Sequence, residues 1–394
     1  MIVLEILFLL YFGYVSLYQF VLAIAGLFYK EQLPPEGERK RKIAVLIPSY
    51  KEDNVIVDVA HEALQQNYPA DSYDVVIIAD SLKPETVARL KALPIIVVEV
   101  SFEKSTKVKS LNRAMAAIGD NYEFALILDA DNVMERDFLR KMNNLLAIGH
   151  RAIQGQRTSK NQTTSMSILD GMSERINNYV YRQGSVAIGI SSSLIGSGML
   201  FEYAVLKDIL LKLDSVGGFD RELELDIIRR NIKIFYAKGV LVYDEKVEST
   251  EVFEKQRTRW LSSQFIYLKK YFFSGFKSIF QGNFSFFNSA ILKNVQLPRL
   301  LNLGLLFIIT LLAFVLRNYL SFSYLWWVAF LLMNMAAMAL AIPLHMYNWD
   351  LLKSIVLLPK IFIKMFNLLF RLKGANKEFI HTPHGISNSV PEKK

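Results

Sequence analysis

Carboxylates gather where three short apolar runs of this chain end. The run 43–47 leads into Pro48-Ser49-Tyr50-Lys51-Glu52-Asp53, the run 75–78 into Ala79-Asp80-Ser81, and the run 124–128 into Asp129-Ala130-Asp131-Asn132. On an extended backbone alternate side chains share a face, so Asp129 and Asp131 are expected to point the same way. Two carboxylates so placed repel unless a cation or hydrogen-bond donors lie between them. Oxygen donors of this kind suit Mg²⁺ or Mn²⁺, and such ions usually keep one or two protein carboxylates and complete their shell with substrate phosphates. A single Asp-x-Asp is most often a solvated strand end. Three strand ends that bring acids to one edge make the metal and phosphate reading the stronger one.

The elements that must position these acids follow from the pattern. Runs of strand length at 43–47, 75–78, 95–98 and 124–128 are separated by helical stretches such as 55–66 and 108–118. Buried apolar strands alternating with helices specify an α/β fold, a mostly parallel sheet covered on both faces. Ligands of such sheets bind beyond the carboxyl ends of the strands, where the acids lie.

The rest of the chain looks built for a bilayer. Of its 394 residues 52% are hydrophobic, which excludes a disordered chain, and the absence of cysteine excludes disulfides, a thiolate zinc site and a cysteine nucleophile. No charged residue interrupts 6–29, 300–316 or 320–344. A span needs about 20 apolar residues, so three membrane helices are expected, the second extended at its start by Leu297 and Pro298. Ala23-Ile24-Ala25 imitates a signal-peptide cleavage site, but no basic residue precedes Ile6, so the first run reads as an anchor.

Lys30, Arg39, Lys40, Arg41 and Lys42 follow that anchor, which puts the amino terminus outside and residues 30–296 in the cytoplasm. The segment 351–394 carries eight Lys/Arg against two acids and returns to the same side. Much of the net charge of +9 is thus met by anionic headgroups, and nucleic acid is not needed as a partner. Lysines punctuate the apolar residues of 351–372 and of 262–296, so both stretches read as interfacial helices.

Four motifs in order then carry a resemblance. Ile47-Pro48-Ser49-Tyr50-Lys51-Glu52, Asp80, Leu128-Asp129-Ala130-Asp131 and Gln256-Arg257-Thr258-Arg259-Trp260 resemble the signatures of membrane-bound family-two glycosyltransferases, the cellulose, chitin and hyaluronan synthase type. The resemblance runs from about 43 to 260 and is most specific at Gln-x-x-Arg-Trp. It implies a GT-A fold: a Rossmann-like mixed sheet in a cytoplasmic domain, with transmembrane and interfacial helices. The expected division is 1–30 membrane helix, 31–260 GT-A domain, 261–296 interfacial helices, 297–346 two membrane helices and 347–394 an amphipathic helix and basic tail. His381 falls in a tail segment common in related enzymes, with no chemistry assigned to it.

Residue by residue, the resemblance places Tyr50, Glu52 and Asp80 on the nucleoside and Lys109 near the nucleotide. Asp129 and Asp131 face sugar, diphosphate and a Mg²⁺ or Mn²⁺ ion. Gly196-Ser197-Gly198 resembles a turn near the acceptor, and Gln256, Arg259 and Trp260 a helix closing over diphosphate and acceptor. Implied is an inverting transfer from a nucleotide sugar, with UDP as the expected carrier, to a polysaccharide or lipid-linked acceptor. The setting is a multi-pass protein of the cell's inner membrane, in contact with lipid. Processive synthesis is one form of that activity, and a homo-oligomer would supply the helices that three spans lack for a channel.

Inverting transfer also needs a base for the acceptor hydroxyl. In Gly217-Gly218-Phe219-Asp220-Arg221-Glu222-Leu223-Glu224, registration against Asn231-Ile232-Lys233-Ile234 aligns Asp220 with the Asp of the family's Glu-Asp pair. Phe219 stands where the Glu is expected. Glu222 and Glu224 are rival bases, although acids in a first helical turn more often stabilise the helix start. The missing Glu leaves a non-catalytic, nucleotide-sugar-binding subunit as the alternative. A transporter is disfavoured by the lack of ionisable residues in the spans.

Overall fold

A computed structural model describes residues 2–370 apart from 33 and 214–216. The basic tail and His381 lie outside the described residues. One eight-stranded sheet forms the centre: β1 (Ile43–Tyr50), β2 (Tyr73–Asp80), β3 (Ile96–Val100), β4 (Phe124–Ile127), β5 (Val133–Met134), β6 (Ala152–Ser159), β7 (Met199–Glu202) and β8 (Ile234–Asp244). Its order is β3-β2-β1-β4-β7-β6-β8-β5. The first four strands in that order are parallel, as the sequence leads one to expect. Beyond them β7 runs antiparallel to β4 and to β6, β8 returns parallel to β6, and β5 is antiparallel to β8, so the sheet is mixed.

In β1 successive residues serve opposite cores: Ala44 and Leu46 join one apolar cluster, while Ile43, Val45 and Ile47 join the other. All five are fully buried. Each large side chain so placed contributes about 1.5–3 kcal/mol, which fixes the register that brings Tyr50 opposite Asp80.

Among the described residues, Ile2–Leu27 is the one helix long and apolar enough to cross a bilayer. Arg299–Val315 and Leu325–Ala341 are apolar but 17 residues long each, about 25 Å at 1.5 Å per residue. The expected extension from Leu297 is not helical, because Pro298 caps the second of these helices in an extended conformation. Side by side, the three make a small bundle. Tyr11 donates to Asn302 (3.0 Å), Asn334 donates to Ser16 (2.6 Å), and Phe12 packs with Leu306, Ala313 and Trp327.

No element boundary falls at 260, since one helix runs unbroken over Thr250–Phe280. The described part of the segment 351–372, expected as one interfacial helix, falls in two short helices, Trp349–Ile355 and Leu358–Leu368.

Candidate active site

The ends of β1 and β2 form the first wall. Lys51 and Ser81, the residues just past each strand, both hold φ at +57°, and the Lys51 amide donates to the Asp80 carbonyl at 3.1 Å. Left-handed backbone at a residue with a Cβ is strained and tends to persist where a site requires it. The turn leaves Asp80 1% exposed, with Oδ1 accepting from the Ser81 hydroxyl (3.0 Å) and Oδ2 without a partner. The buried Ser49 hydroxyl is also unpartnered. An orphaned buried carboxylate oxygen is costly, so this corner favours a ligand that donates hydrogen bonds. Glu52 is buried beside it, its carbonyl accepting the Val55 and Ile56 amides, and Tyr50 is half-buried with the Lys51 ammonium 5.1 Å from its ring centre.

The second wall follows β4. The strand stops at Ile127, and the Asn132 amide closes a turn onto the Asp129 carbonyl at 3.1 Å. Asp129 and Asp131 therefore sit on a turn, and the strand periodicity used to co-orient them does not apply. Asp129 is a third exposed and ion-paired with Lys107. Asp131 is buried, held by Asn132 (3.1 Å), whose amide also reaches Asp244 (3.0 Å). Behind it lies a buried ionic group: Arg157 bonds Glu174 at 2.8 Å, Arg182 bonds Glu174 at 3.2 Å, and Lys246 bonds Asp244 at 2.6 Å. Burial opposes ionisation of Glu174, yet the three cations around it outweigh that and hold its carboxyl at about 2. Through Asn132 this buried network ties the turn to Asp244.

The third wall is the loop before β7. Gly196 at φ +86° and Gly198 at φ +63° allow it to reverse tightly. A Cβ on Gly196 would lie 3.8 Å from Asp220 Oδ2 and 3.9 Å from Asp129 Oδ2, so two carboxylates from separate elements converge on one point. Lys107 joins them, donating to the Gly196 carbonyl at 2.9 Å and lying 4.9 Å above the Phe219 ring. Phe219, the departure from the family's Glu, is buried in the core beneath that ammonium. Ser197, expected to face the acceptor, is fully buried and its hydroxyl accepts the Asp129 amide at 3.0 Å. It holds the acid's turn in place and does not line open space.

Asp220 occupies the first turn of the Phe219–Arg229 helix. Desolvation raises its carboxyl above the usual Asp range, against the pull of the Lys107 charge. The rivals are engaged elsewhere: Glu222 is ion-paired with Lys270, and Glu224, 1% exposed, accepts from Leu194, Arg221 and Ser289. Arg259, half-buried, faces both Asp220 and Asp129 electrostatically. Gln256 keeps a buried, unpartnered Oε1, and Trp260 is 38% exposed with the Arg257 guanidinium stacked 4.3 Å from its ring. Lys109 stays outside this group, exposed, with its ammonium on the Lys104 carbonyl at 3.0 Å. The sequence held the signal for Lys107: Thr106 caps the helix through the Lys109 amide, so Lys107 is the first residue of Lys107–Ile118 and faces the strand ends.

A mixed sheet with acids at its strand ends, a further acid at a helix start and a basic helix above them fits a GT-A glycosyltransferase. The match to known proteins agrees. Residues 40–263, more than half of the chain, match the model of the glycosyltransferase-like family 2, and the protein belongs to that family. It is 21% identical over 259 residues (59% of this chain, 75% of the relative) to the dolichyl N-acetyl-α-D-glucosaminyl phosphate 3-β-D-2,3-diacetamido-2,3-dideoxy-β-D-glucuronosyltransferase of Methanococcus voltae. It also shares its fold with the mannosyltransferase PcManGT of Pyrobaculum calidifontis, solved with GDP-Man and Mn²⁺, at TM-score 0.55 and 17% identity over 90% of this chain and 95% of that one.

Proposed function

We propose that this glycosyltransferase is integrated in the membrane and works by inversion, moving a sugar from a nucleotide donor to a lipid-linked acceptor with Asp220 as base. The observation that carries this reading is the convergence of Asp129 and Asp220 on the Gly196 turn, with Lys107 and Arg259 as the cations facing both. A carboxylate at Asp220 takes the proton of the acceptor hydroxyl as its oxygen bonds to the anomeric carbon. The bond from that carbon to the donor phosphate breaks on the opposite side. Lys107 and Arg259 lie where the departing diphosphate gathers charge, which is where fixed cations lower a barrier most. Asp80, with its orphaned oxygen, suits the N–H groups of a nucleobase.

Among the described residues no cluster of three or more acidic, histidine or cysteine side chains could hold a metal by itself. The donor set still fits an ion of the Mg²⁺ or Mn²⁺ type, which needs few protein carboxylates when phosphates complete its shell. Asp129, a third exposed and already facing an ammonium, would hold it, with Asp131 beneath. Bound there, the ion would supply positive charge to the diphosphate.

The acceptor assignment leans on the Methanococcus relative, named for a dolichyl-linked substrate. The three apolar helices and the exposed Phe272, Phe273, Phe276 and Phe280 beside Lys269 and Lys277 support a membrane setting, with residues 31–260 in the cytoplasm. A UDP-sugar remains the donor implied by the motifs, and the GDP-Man of PcManGT makes a GDP-sugar the competing outcome. The test is nucleotide release by the purified full chain in detergent with Mn²⁺ and a panel of UDP- and GDP-sugars. Asp220→Asn should lower turnover by about 10²–10⁴-fold; wild-type turnover in that variant would remove Asp220 from the mechanism. Product length then separates one transfer from chain growth.

A further inference from the structure

The loop that carries Gly196 is held amide by amide from two buried side chains. Gln154, fully buried, accepts the Ile195 amide at 3.0 Å and donates to the Ser197 carbonyl at 2.9 Å. Glu224 accepts the preceding amide, that of Leu194, through Oε2 at 3.0 Å. Its other oxygen gathers Arg221 at 2.5 Å, the Ser289 hydroxyl at 2.8 Å and Lys293 at 3.4 Å. Arg221 in turn bonds the Ser289 carbonyl and the Asn294 side chain (3.0 Å). Glu224 lies one helical turn beyond Asp220, so the two share a face of the Phe219–Arg229 helix. One carboxylate therefore joins three parts: the helix bearing the base, the loop opposite that base, and the segment 288–294 that leads into the apolar helices.

We propose that Glu224 is a positioning residue for transfer: through the Leu194 amide it sets the distance between the Gly196 turn and Asp220. The proposal rests on the reading of Asp220 as base. It explains why an acid is buried to 1% exposure with a lone pair committed to a loop amide. An acid needed only to neutralise Arg221 and Lys293 would not require that bond.

Two conservative variants separate these roles, because each keeps one half of the side chain's work. Glu224→Asp keeps the charge beside Arg221 and Lys293 but withdraws the oxygen from Leu194. Glu224→Gln keeps an oxygen at Leu194 and removes the charge. The readouts are hydrogen–deuterium exchange of peptides covering 191–198, which needs no substrate, and turnover with Mn²⁺, a prenyl-linked N-acetylglucosamine acceptor and UDP-N-acetylglucosamine or GDP-mannose, whichever the wild type consumes. Glu224→Asp should speed exchange of that loop by at least about 10-fold and lower kcat by about 30-fold, with donor affinity unchanged within about threefold. Glu224→Gln should stay within about fivefold of wild type on both.

The reverse order, with Gln impaired and Asp normal, assigns Glu224 to charge balance and overturns the proposal. Equal loss in both variants, or none in either, overturns it too, as does faster loop exchange with unchanged kcat. Asp220→Asn is the control. If that variant turns over normally, the assignment of the base fails, while the exchange result still reports whether Glu224 holds the loop.

Discussion

Asp220 carries a conflict between stability and chemistry. Its carboxyl is raised by desolvation, so the folded state holds the proton more tightly than the unfolded chain does. Folding is then favoured below the raised value, and that contribution is lost as pH rises through it. The proposed role as base requires the opposite state, the carboxylate. Turnover should accordingly fall on the acid side with a midpoint above the ordinary Asp value near 4, and Asp220→Asn should abolish that limb while raising the thermal midpoint at neutral pH. A lower midpoint would show that the charge is stabilised where it lies. Lys107 is the second residue to test: it pairs with Asp129, the Gly196 carbonyl and the Phe219 ring. Lys107→Met should lower kcat/KM by about 100-fold or more, whereas Lys109→Met, at an exposed position, should change it by less than about threefold. The sequence made the strand-end acids legible, because Asp80 and Asp129 end apolar runs. It placed Lys109 near the nucleotide and passed over Lys107, the lysine that the structure brings to Asp129, because a helix start separates two such neighbours only once its cap is known. The strand periodicity invoked for Asp131 does not hold there, since a turn and a strand carry the same Asp-x-Asp.

At the scale of elements, the parallel half of the sheet was readable as four apolar runs. The other half was not. β6 reads Ala152-Ile153-Gln154-Gly155-Gln156-Arg157-Thr158-Ser159, a polar segment whose burial depends on partners far along the chain. Gln154 is fully buried only because it serves the loop before β7. Long-range pairing of this sort has no local periodicity to announce it. One crossing is tight enough to predict from. Gly184, after the Ser165–Asn177 helix, lies so close to Ile2–Leu27 that a Cβ would meet the Leu22 carbonyl oxygen at 2.2 Å. Gly184→Ala should therefore cost about 1–3 kcal/mol and lower the thermal midpoint. Gly13→Ala, which meets the tip of the Phe330 ring at 2.9 Å, should be milder, because a side chain can move and a backbone carbonyl in a helix cannot. Equal effects would place the tight crossing elsewhere.

For the whole molecule, the charge pattern and the packing make one arrangement testable. Glu5, 7% exposed, accepts the Ser321 and Phe322 amides at 3.1 and 2.9 Å, so the start of the first helix and the 316–324 turn share one end of the bundle. The catalytic sheet hangs from the other end, where the Tyr29 hydroxyl donates to the Tyr236 carbonyl (2.8 Å). Because the natural chain has no cysteine, single cysteines give a clean background. A membrane-impermeant maleimide should label Ser323→Cys in intact cells and Lys238→Cys only after lysis; the opposite pattern would invert the topology.

The first helix is also part of the enzyme's masonry. The Gln183 amide donates to the Gly26 carbonyl at 2.7 Å, and a Cβ on Gly26 would press on the Tyr179 ring at 3.0 Å. A shortened protein starting after residue 30, the usual route to a water-soluble preparation, would strip the cover from residues 179–184. Grafting an unrelated hydrophobic leader would restore an apolar helix without restoring that fit. Preparations meant to keep the native catalytic architecture need the original amino-terminal segment.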